Sequence, residues 1–310
     1  MRSSTFTLPA SDGVTLFVYR WLPETLPKAV VQIAHGLAEH AGRYARLAGL
    51  LTTAGYAVYA HDHRGHGRSA AGTAGLGYFA ESGGWQKCIE DLWQLQRRIT
   101  ADHPGVPIVL LGHSMGSFMV QHFISEHGDA LAGAVLAGSN GKPPLLAVVG
   151  RLVARLERLR LGPRGRSALI HTLSFSAFNK QFAPNRTPCD WLSRDPAEVD
   201  KFIADPLCGF VATVQLWIDL LDALGEIANP DRQARIPKPL PIYVIAGARD
   251  PVSNKTKGLQ QLLTAYRVQG LPHVAHRFYP DARHELFNEV NRDEVTRDLI
   301  AWLDATIAQQ

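Results

Sequence analysis

Short apolar runs bounded by turn residues recur along the chain and alternate with segments of helical periodicity. The runs are rich in β-branched residues, as buried strands are, and lie at 13–21, 28–36, 56–65, 107–114, 131–139, 240–250 and 276–284. Helical periodicity occurs between most of them, at 39–54, 84–102, 116–127, 255–268 and 291–308. This alternation predicts an α/β fold with a mostly parallel central sheet and helices on both faces. The first run is predicted to be an antiparallel edge strand.

One long interval interrupts this alternation. From about residue 139 to residue 239 no strand-like run occurs, and the sequence indicates several helices broken by Gly and Pro. A connection of that length without structure of its own is rare, because loops longer than about 15 residues are uncommon in compact domains. We therefore predict a core formed by residues 1–138 and 240–310, with a helical cap inserted at 139–239.

The composition is that of an ordinary globular protein and narrows the classes of function. The 310 residues carry a formal net charge of +4, and Lys and Arg are scattered apart from one segment described below. We therefore expect no nucleic-acid partner. Three cysteines at spacings typical of neither zinc sites nor disulfide frameworks favour a reducing compartment. No apolar run approaches the roughly 18 residues of a membrane span, and no signal-peptide pattern occurs, so a cytoplasmic location is expected.

The segment Gly112-His113-Ser114-Met115-Gly116 joins an apolar run to a predicted helix. In a G-x-S-x-G turn the serine takes strained backbone angles, and its hydroxyl is exposed above the carboxyl ends of the strands. Gly112 and Gly116 leave room for neighbouring backbone. The Met115 N–H, at a helix N-terminus, can stabilise an oxyanion, whereas His113 is expected to face away from the serine. Ser114 is therefore the candidate nucleophile.

A serine nucleophile needs a histidine base and an acid that orients this base. In this kind of fold the acid and then the histidine follow the serine along the chain. Asp250 and His284 each end a strand-like run, at the sheet edge where loops converge, so they are the candidate acid and base. Asp250 can also be the N-cap of a helix, and the two roles can coexist. Three other carboxylates occupy less suitable positions, in the insert or beside the histidine: Asp219, Asp222 and Asp281.

A second oxyanion donor is expected from the loop that follows the run at 28–36. This loop begins with His35-Gly36-Leu37. Gly36 permits close backbone approach, and the Leu37 N–H can point at the same place as the Met115 N–H. The alternative is a glycine that merely ends a strand.

The segment at 61–69, HDHRGHGRS, gathers His61, Asp62, His63 and His66 within six positions. A metal site would need these ligands on a shared face with defined geometry, but the segment has the pattern of a strand that runs into a Gly-rich turn. We therefore predict no metal site. Instead we expect Asp62 and Arg64 to pair and hold the loop beside the active site.

Six motifs carry a resemblance to a known family: HGLAEHAGRY (35–44), AHDHRGHGRS (60–69), GHSMG (112–116), ADPLCG (204–209), GARDPVS (247–253) and ARHELFNE (282–289). In this order the chain resembles the α/β-hydrolases of the monoacylglycerol lipase and bacterial lysophospholipase family. The resemblance covers nearly the whole chain. It implies a serine hydrolase that cleaves carboxylic esters of single-chain lipids through an acyl-enzyme, with a helical lid over the pocket.

The same resemblance assigns roles to seven residues. They are the triad Ser114, Asp250 and His284, the oxyanion donors Leu37 and Met115, and Glu39 and His40 near the polar end of the substrate. A triad of this kind needs neither a metal nor an organic cofactor.

The predicted cap begins with the one basic segment of the chain, a helix expected at 145–161. Its apolar residues recur at helical spacing and are Leu145, Val149, Leu152, Val153, Leu156 and Leu159. Three arginines flank that face: Arg151, Arg155 and Arg158. Such a helix can lie on an anionic membrane surface. The equally weighted alternative is that its apolar face packs on the core or lines the pocket while the arginines are solvated.

Two other functions remain open at this stage. The same triad could cleave peptides or thioesters, because triad geometry does not fix the leaving group. The fold could also serve as a non-catalytic binder of small molecules. The sequence gives no indication of the oligomeric state.

Overall fold

The computed structural model describes residues 1–143 and 145–309, which contain eight strands and eleven α-helices. The strands are β1 (Arg2–Pro9), β2 (Thr15–Leu22), β3 (Ala29–Ala34), β4 (Tyr56–His61), β5 (Ile108–His113), β6 (Gly133–Ala137), β7 (Ile242–Gly247) and β8 (Val274–Tyr279). The helices are α1 (Ala45–Thr53), α2 (Gly84–Asp102), α3 (Met115–His127), α4 (Leu145–Leu161), α5 (Ala168–His171), α6 (Ala177–Asn179), α7 (Pro196–Ala204), α8 (Val214–Ile227), α9 (Pro230–Gln233), α10 (Lys257–Val268) and α11 (Arg292–Ile307).

All eight strands form one sheet in the order β1-β2-β4-β3-β5-β6-β7-β8. β3 to β8 are parallel, and β1 and β2 are antiparallel to their neighbours. The predicted α/β class is therefore confirmed. The expectation that the run at 13–21 forms the edge is wrong, since β1 pairs with β2 along its whole length, from Arg2 opposite Leu22 to Pro9 opposite Thr15.

The central strands are buried on both faces, which explains why their sequences are continuous apolar runs. Along β5, Leu110 packs with α2, α3, α8 and α10 on one face, whereas Val109 and Leu111 pack with α1 and α11 on the other. This alternation follows from the two-residue period of a strand. Each face therefore has its own apolar core.

The parallel strands bring the predicted site residues to one edge of the sheet. β3, β5, β7 and β8 all end there, and Leu37, Ser114, Asp250 and His284 follow them in that order. Between β6 and β7 the described residues form the helices α4 to α9 and no strand. None of the helices in the described ranges has the length and apolar character that crossing a membrane requires.

Candidate active site

Ser114 occupies the sharp turn between β5 and α3. Its backbone lies at φ 53° and ψ −121°, a region that costs a non-glycine residue about 1–3 kcal/mol. A Cβ on Gly112 would lie 2.3 Å from the carbonyl oxygen of Gly116, and one on Gly116 would lie 2.1 Å from that of Ala34. Only glycine fits at either position, so the two glycines allow the turn to form.

The two predicted oxyanion donors belong to residues close to Ser114. Met115 begins α3, and Leu37 lines the same cavity as Ser114. Among the described residues, neither backbone N–H has a hydrogen-bond acceptor. A Cβ on Gly36 would lie 3.2 Å from the Ser114 Cβ, so the absence of a side chain at Gly36 keeps this loop close to the serine. Both donors are therefore available to an incoming oxygen.

Asp250 and His284 form a buried pair. Asp250 Oδ2 accepts a hydrogen bond of 2.9 Å from His284 Nδ1, and Asp250 Oδ1 accepts one of 2.8 Å from the Val252 N–H. Asp250 therefore holds the ring and its own turn at once. It does not cap a helix as the alternative had it, because α10 begins only at Lys257.

His284 shares a cavity of about 270 Å³ with Ser114. The ring lies against Trp191, with 4.9 Å between the two ring centroids. Among the hydrogen bonds of the described residues, none joins Ser114 Oγ to His284. Catalytic hydrogen bonds of this kind are often long without substrate and tighten when it binds.

Glu39 lines the cavity, but its carboxylate is already engaged by neighbouring groups. Oε1 accepts hydrogen bonds from the Gly36 N–H (2.6 Å), the Tyr44 hydroxyl (2.9 Å) and His113 Nδ1 (3.1 Å). Oε2 accepts one of 2.7 Å from Arg43. Burial favours the protonated carboxyl, yet the His113 hydrogen bond and the Arg43 charge hold the pKa of Glu39 well below its usual range. Glu39 is therefore an anion inside an ion-pair network.

His113 does not face away as expected. It lines the cavity, and its Nε2 lies 3.3 Å from the carbonyl oxygen of His284. Burial disfavours the imidazolium, but the hydrogen bond to Glu39 and the negative charges of Glu39 and Glu285 together outweigh it and raise the pKa of His113 above its usual value. The sequence contained a signal for this contact, which sequence reasoning missed. The segment HGLAEHAGRY (35–44) is rich in polar residues and includes Glu39, the hydrogen-bond partner of His113.

Arg43 links this network to the loop of His284. Its two terminal nitrogens each donate a hydrogen bond of 2.7 Å to the two oxygens of Glu285, the residue after His284. All three charged side chains, Glu39, Arg43 and Glu285, are nearly inaccessible to solvent. The spacing of four between Glu39 and Arg43 was a visible signal, but the partner Glu285 was not predictable from it.

His40, the second residue expected near the substrate, is not among the described residues that line the cavity. Its Nε2 lies 2.9 Å from Asp205 Oδ2, in the turn that follows α7. His40 and Glu39 are neighbours in sequence, but their side chains contact different partners.

The expected ion pair between Asp62 and Arg64 is wrong. Arg64 donates two hydrogen bonds of 2.8 Å to Asp91 of α2. Asp62 instead accepts the backbone N–H groups of Ala41 (2.8 Å) and Arg68 (2.7 Å). The turn at 61–69 folds around the Asp62 carboxylate, which binds backbone N–H groups, while the Arg64 guanidinium points to Asp91.

The histidines of this turn pack against each other and against His35. The rings of His35 and His63 lie 4.1 Å apart, and His63 Nδ1 lies 3.3 Å from His61 Nε2. Burial lowers the pKa of His61 to about 3 and that of His66 to about 4. The rings are therefore neutral at pH 7 and act as packed aromatic groups beneath the loop that carries Leu37.

Comparisons with known proteins agree with this architecture. The sequence model of the family described as serine aminopeptidase, S33, matches residues 25–291. A monoacylglycerol lipase of Mycolicibacterium smegmatis is 30% identical over 94% of this chain and 93% of its own, and a monoglyceride lipase of Mus musculus is 31% identical over 91% and 87%. The structure of a thermostable carboxyl esterase from Bacillus coagulans, in complex with glycerol, is similar with a TM-score of 0.90 and 27% identity over 99% of both chains. The chain belongs to the monoacylglycerol lipase family of α/β-hydrolases and is a carboxylic-ester hydrolase.

Proposed function

We propose that the protein hydrolyses carboxylic esters of single-chain lipids, monoacylglycerols or lysophospholipids, through an acyl-enzyme. The observation that carries this proposal is the buried Asp250–His284 pair, which opens onto the same cavity as Ser114. Among the described histidines, only His284 meets two conditions. Its ring is hydrogen-bonded to a buried aspartate, and it lines a cavity together with a serine at a strained turn.

In the proposed mechanism His284 Nε2 takes the proton of Ser114 Oγ as the oxygen attacks the ester carbonyl. Asp250 keeps the ring proton on Nδ1 and stabilises the imidazolium. The Leu37 and Met115 N–H groups bind the oxyanion. His284 then protonates the leaving alcohol and activates a water molecule, which releases the acid. The scheme requires no metal and no organic cofactor.

The walls of the cavity support an acyl chain as the substrate group. Large apolar side chains contribute much of the wall, and they include Leu37, Phe175, Trp191, Leu192 and Phe202. The two carboxylates in the wall, Glu39 and Glu285, are both paired with Arg43. A pocket for the amine of a peptide substrate would need an unpaired carboxylate, so the wall favours a lipid. Glu39 marks the proposed polar end.

We also propose that residues 139–239 act as a cap over this site. Most of the apolar wall comes from this interval, including Phe175 of the segment between α5 and α6 and Trp191 before α7. Both rings contact one another as a stacked pair with centroids 5.6 Å apart. The proposed division into core and cap is supported by this contribution of residues 139–239 to the cavity wall.

A substrate panel tests the proposed function. We expect measurable turnover of a monoacylglycerol or a lysophospholipid, and of a short p-nitrophenyl ester, with little cleavage of an aminoacyl anilide, because the cavity offers no free carboxylate for an amine. The family description as a serine aminopeptidase and the lipase names of relatives make this contrast informative. Preferential cleavage of the anilide would contradict the proposal. The absence of both turnover and fluorophosphonate labelling would favour a non-catalytic binder.

We further propose that α4 brings the protein to lipid surfaces. Several of its apolar side chains are exposed: Val149, Leu152, Leu156 and Leu159, the last by 84%. Val153 instead packs on the core. The predicted apolar face of α4 is therefore partly buried and partly exposed. The side chain of Leu145 lies outside the described residues. Arg151 and Arg155 both pair with Asp222 of α8, so the exposed leucines supply the main attraction.

The double substitution L152S/L156S is expected to reduce binding to anionic vesicles by roughly tenfold or more. Full burial of a leucine side chain in an apolar medium contributes about 1.5–3 kcal/mol, and serine lacks this contribution. Co-sedimentation with phosphatidylglycerol vesicles measures this. Leu26→Ser is the matched control, since Leu26 is 94% exposed in the loop before β3. Equal binding of the wild type and the double variant would contradict a role for α4.

A further inference from the structure

A second cluster of reactive side chains lies just outside the catalytic cavity. Its members are His40, in the loop after β3, and Asp205 and Cys208, in the turn after α7. One ligand atom from each lies within 4.8 Å of the other two, and the His40 Nε2 to Asp205 Oδ2 distance is 2.9 Å. Three potential metal ligands of different kinds therefore converge from two separate segments.

The turn fixes the positions of its two ligands. The Cys208 N–H donates a hydrogen bond of 3.0 Å to the carbonyl oxygen of Asp205, which brings residues three apart to the same side. Asp205 Oδ1 accepts the Leu207 N–H at 2.9 Å, so the other oxygen, Oδ2, is the one directed to His40. The backbone of the turn thus orients the Asp205 carboxylate through Oδ1 and leaves Oδ2, the oxygen that would bind a metal, without a backbone partner.

The His40 ring also suits a ligand role. Its Nδ1 is buried and makes no hydrogen bond to any residue in the described parts of the chain. No described group therefore competes for Nδ1. For Nε2 to bind an ion, the proton that it donates to Asp205 Oδ2 must move to Nδ1 or leave to the solvent. Residues such as these, an imidazole, a thiolate and a carboxylate, are the ligands that Zn²⁺ prefers, with distances near 2.0–2.3 Å.

We propose that His40, Asp205 and Cys208 form a site for a zinc-class divalent cation, with water as the fourth ligand. The side chain of Asp205 is 31% exposed, which gives the ion access from solvent. Sites with three protein ligands and one open position are well known for Zn²⁺. The site lies apart from Ser114, Asp250 and His284 and takes no part in the proposed hydrolysis.

The surrounding charges are compatible with a cation. Arg43 is the positive group close to Cys208, but Glu39 and Glu285 each bind it at 2.7 Å. A metal binds the thiolate form of Cys208, so binding releases the thiol proton and strengthens as the pH rises.

Occupancy would tie together the two segments that border the cavity. They are already joined by a hydrogen bond of 2.9 Å from the Gly209 N–H to the Ala38 carbonyl oxygen. Ala38 follows the proposed oxyanion donor Leu37, and Gly209 lines the cavity. A metal bond between His40 and Cys208 would therefore stabilise the folded protein, because a ligand that binds only the native state raises its stability.

Titration of the full, untagged chain with Zn²⁺ and Co²⁺ tests the site. We expect one ion per chain, a thiolate-to-cobalt charge-transfer band with Co²⁺, and a higher melting temperature with Zn²⁺. Cys208→Ala should abolish the band and weaken Zn²⁺ binding by at least roughly 10- to 100-fold, the loss that even an outer-shell partner causes. Asp205→Asn, which preserves the shape of the turn, should weaken Zn²⁺ binding to a similar extent. It provides the test if Cys208→Ala does not fold.

Cys189→Ala is the control, since Cys189 is a free thiol that lines the cavity and lies outside the cluster. It should bind both ions as the wild type does. The proposal is overturned if the wild type shows no thiolate band, or if Cys208→Ala and Asp205→Asn bind Zn²⁺ as tightly as the wild type. Neither outcome depends on whether the protein hydrolyses lipid esters.

Discussion

Ser114→Ala is expected to reduce kcat for a short p-nitrophenyl ester by roughly 10⁴- to 10⁶-fold, as loss of a triad nucleophile does in serine hydrolases. The substitution removes only Oγ. The φ of 53° is no easier for alanine than for serine, and the hydrogen bond of 2.9 Å from the residue 114 N–H to the Ala137 carbonyl oxygen uses only backbone atoms. The fold should therefore be retained, so that a loss of activity reports on chemistry.

Intact-mass analysis after treatment with a fluorophosphonate gives a second reading of the same prediction. The wild type should gain one adduct, on Ser114, and Ser114→Ala should gain none. Ser82→Ala is the matched control, because Ser82 is exposed in the loop before α2. It should retain both labelling and turnover. Activity within about tenfold of the wild type in pure Ser114→Ala would remove the nucleophile from the proposed mechanism.

Asp250→Asn is expected to reduce kcat/KM by about 10⁴-fold, because an amide in this position favours the wrong tautomer of the histidine. The asparagine carbonyl can still accept the Val252 N–H, as Asp250 Oδ1 does at 2.8 Å. Its amide nitrogen would instead donate to His284 Nδ1, which moves the ring proton to Nε2. The ring could then not accept the proton of Ser114, although the turn and the fold persist.

A second aspartate provides the control for this measurement. Asp281 is exposed and has a φ of 58°, a conformation that asparagine also tolerates. Asp281→Asn should leave kcat/KM close to that of the wild type. If Asp281→Asn were the damaging substitution and Asp250→Asn nearly silent, the carboxylate of the proposed triad would be assigned to the wrong residue.

Much of the site could be predicted from sequence because its residues follow strands. Ser114, Asp250 and His284 each come directly after an apolar run or end it, and parallel strands end at a common edge. The glycines beside Ser114 also have a readable cause, since a Cβ at Gly112 or Gly116 would clash with backbone. Local sequence was sufficient wherever one strand and its next few residues determine the position.

The features that sequence missed depend on partners distant in the chain. β1 has only Phe6 and Leu8 as large apolar residues, and its place comes from backbone pairing with β2 rather than from its own pattern. Arg64 was paired with its neighbour Asp62, but its true partner Asp91 lies in α2. Charged residues have many candidate partners in a sequence, and only the fold selects among them.

The ion pairs of Arg43 make two segments that are far apart in the sequence depend on each other. Arg43 and Glu285 are 242 positions apart. With Glu39 they form a set of one buried cation and two buried anions. Replacing the arginine alone would strand two carboxylates in a medium that solvates them poorly. Chimeras that exchange only one of these loops with a relative must therefore keep all three residues compatible, and drift at one of these positions is constrained by the other two.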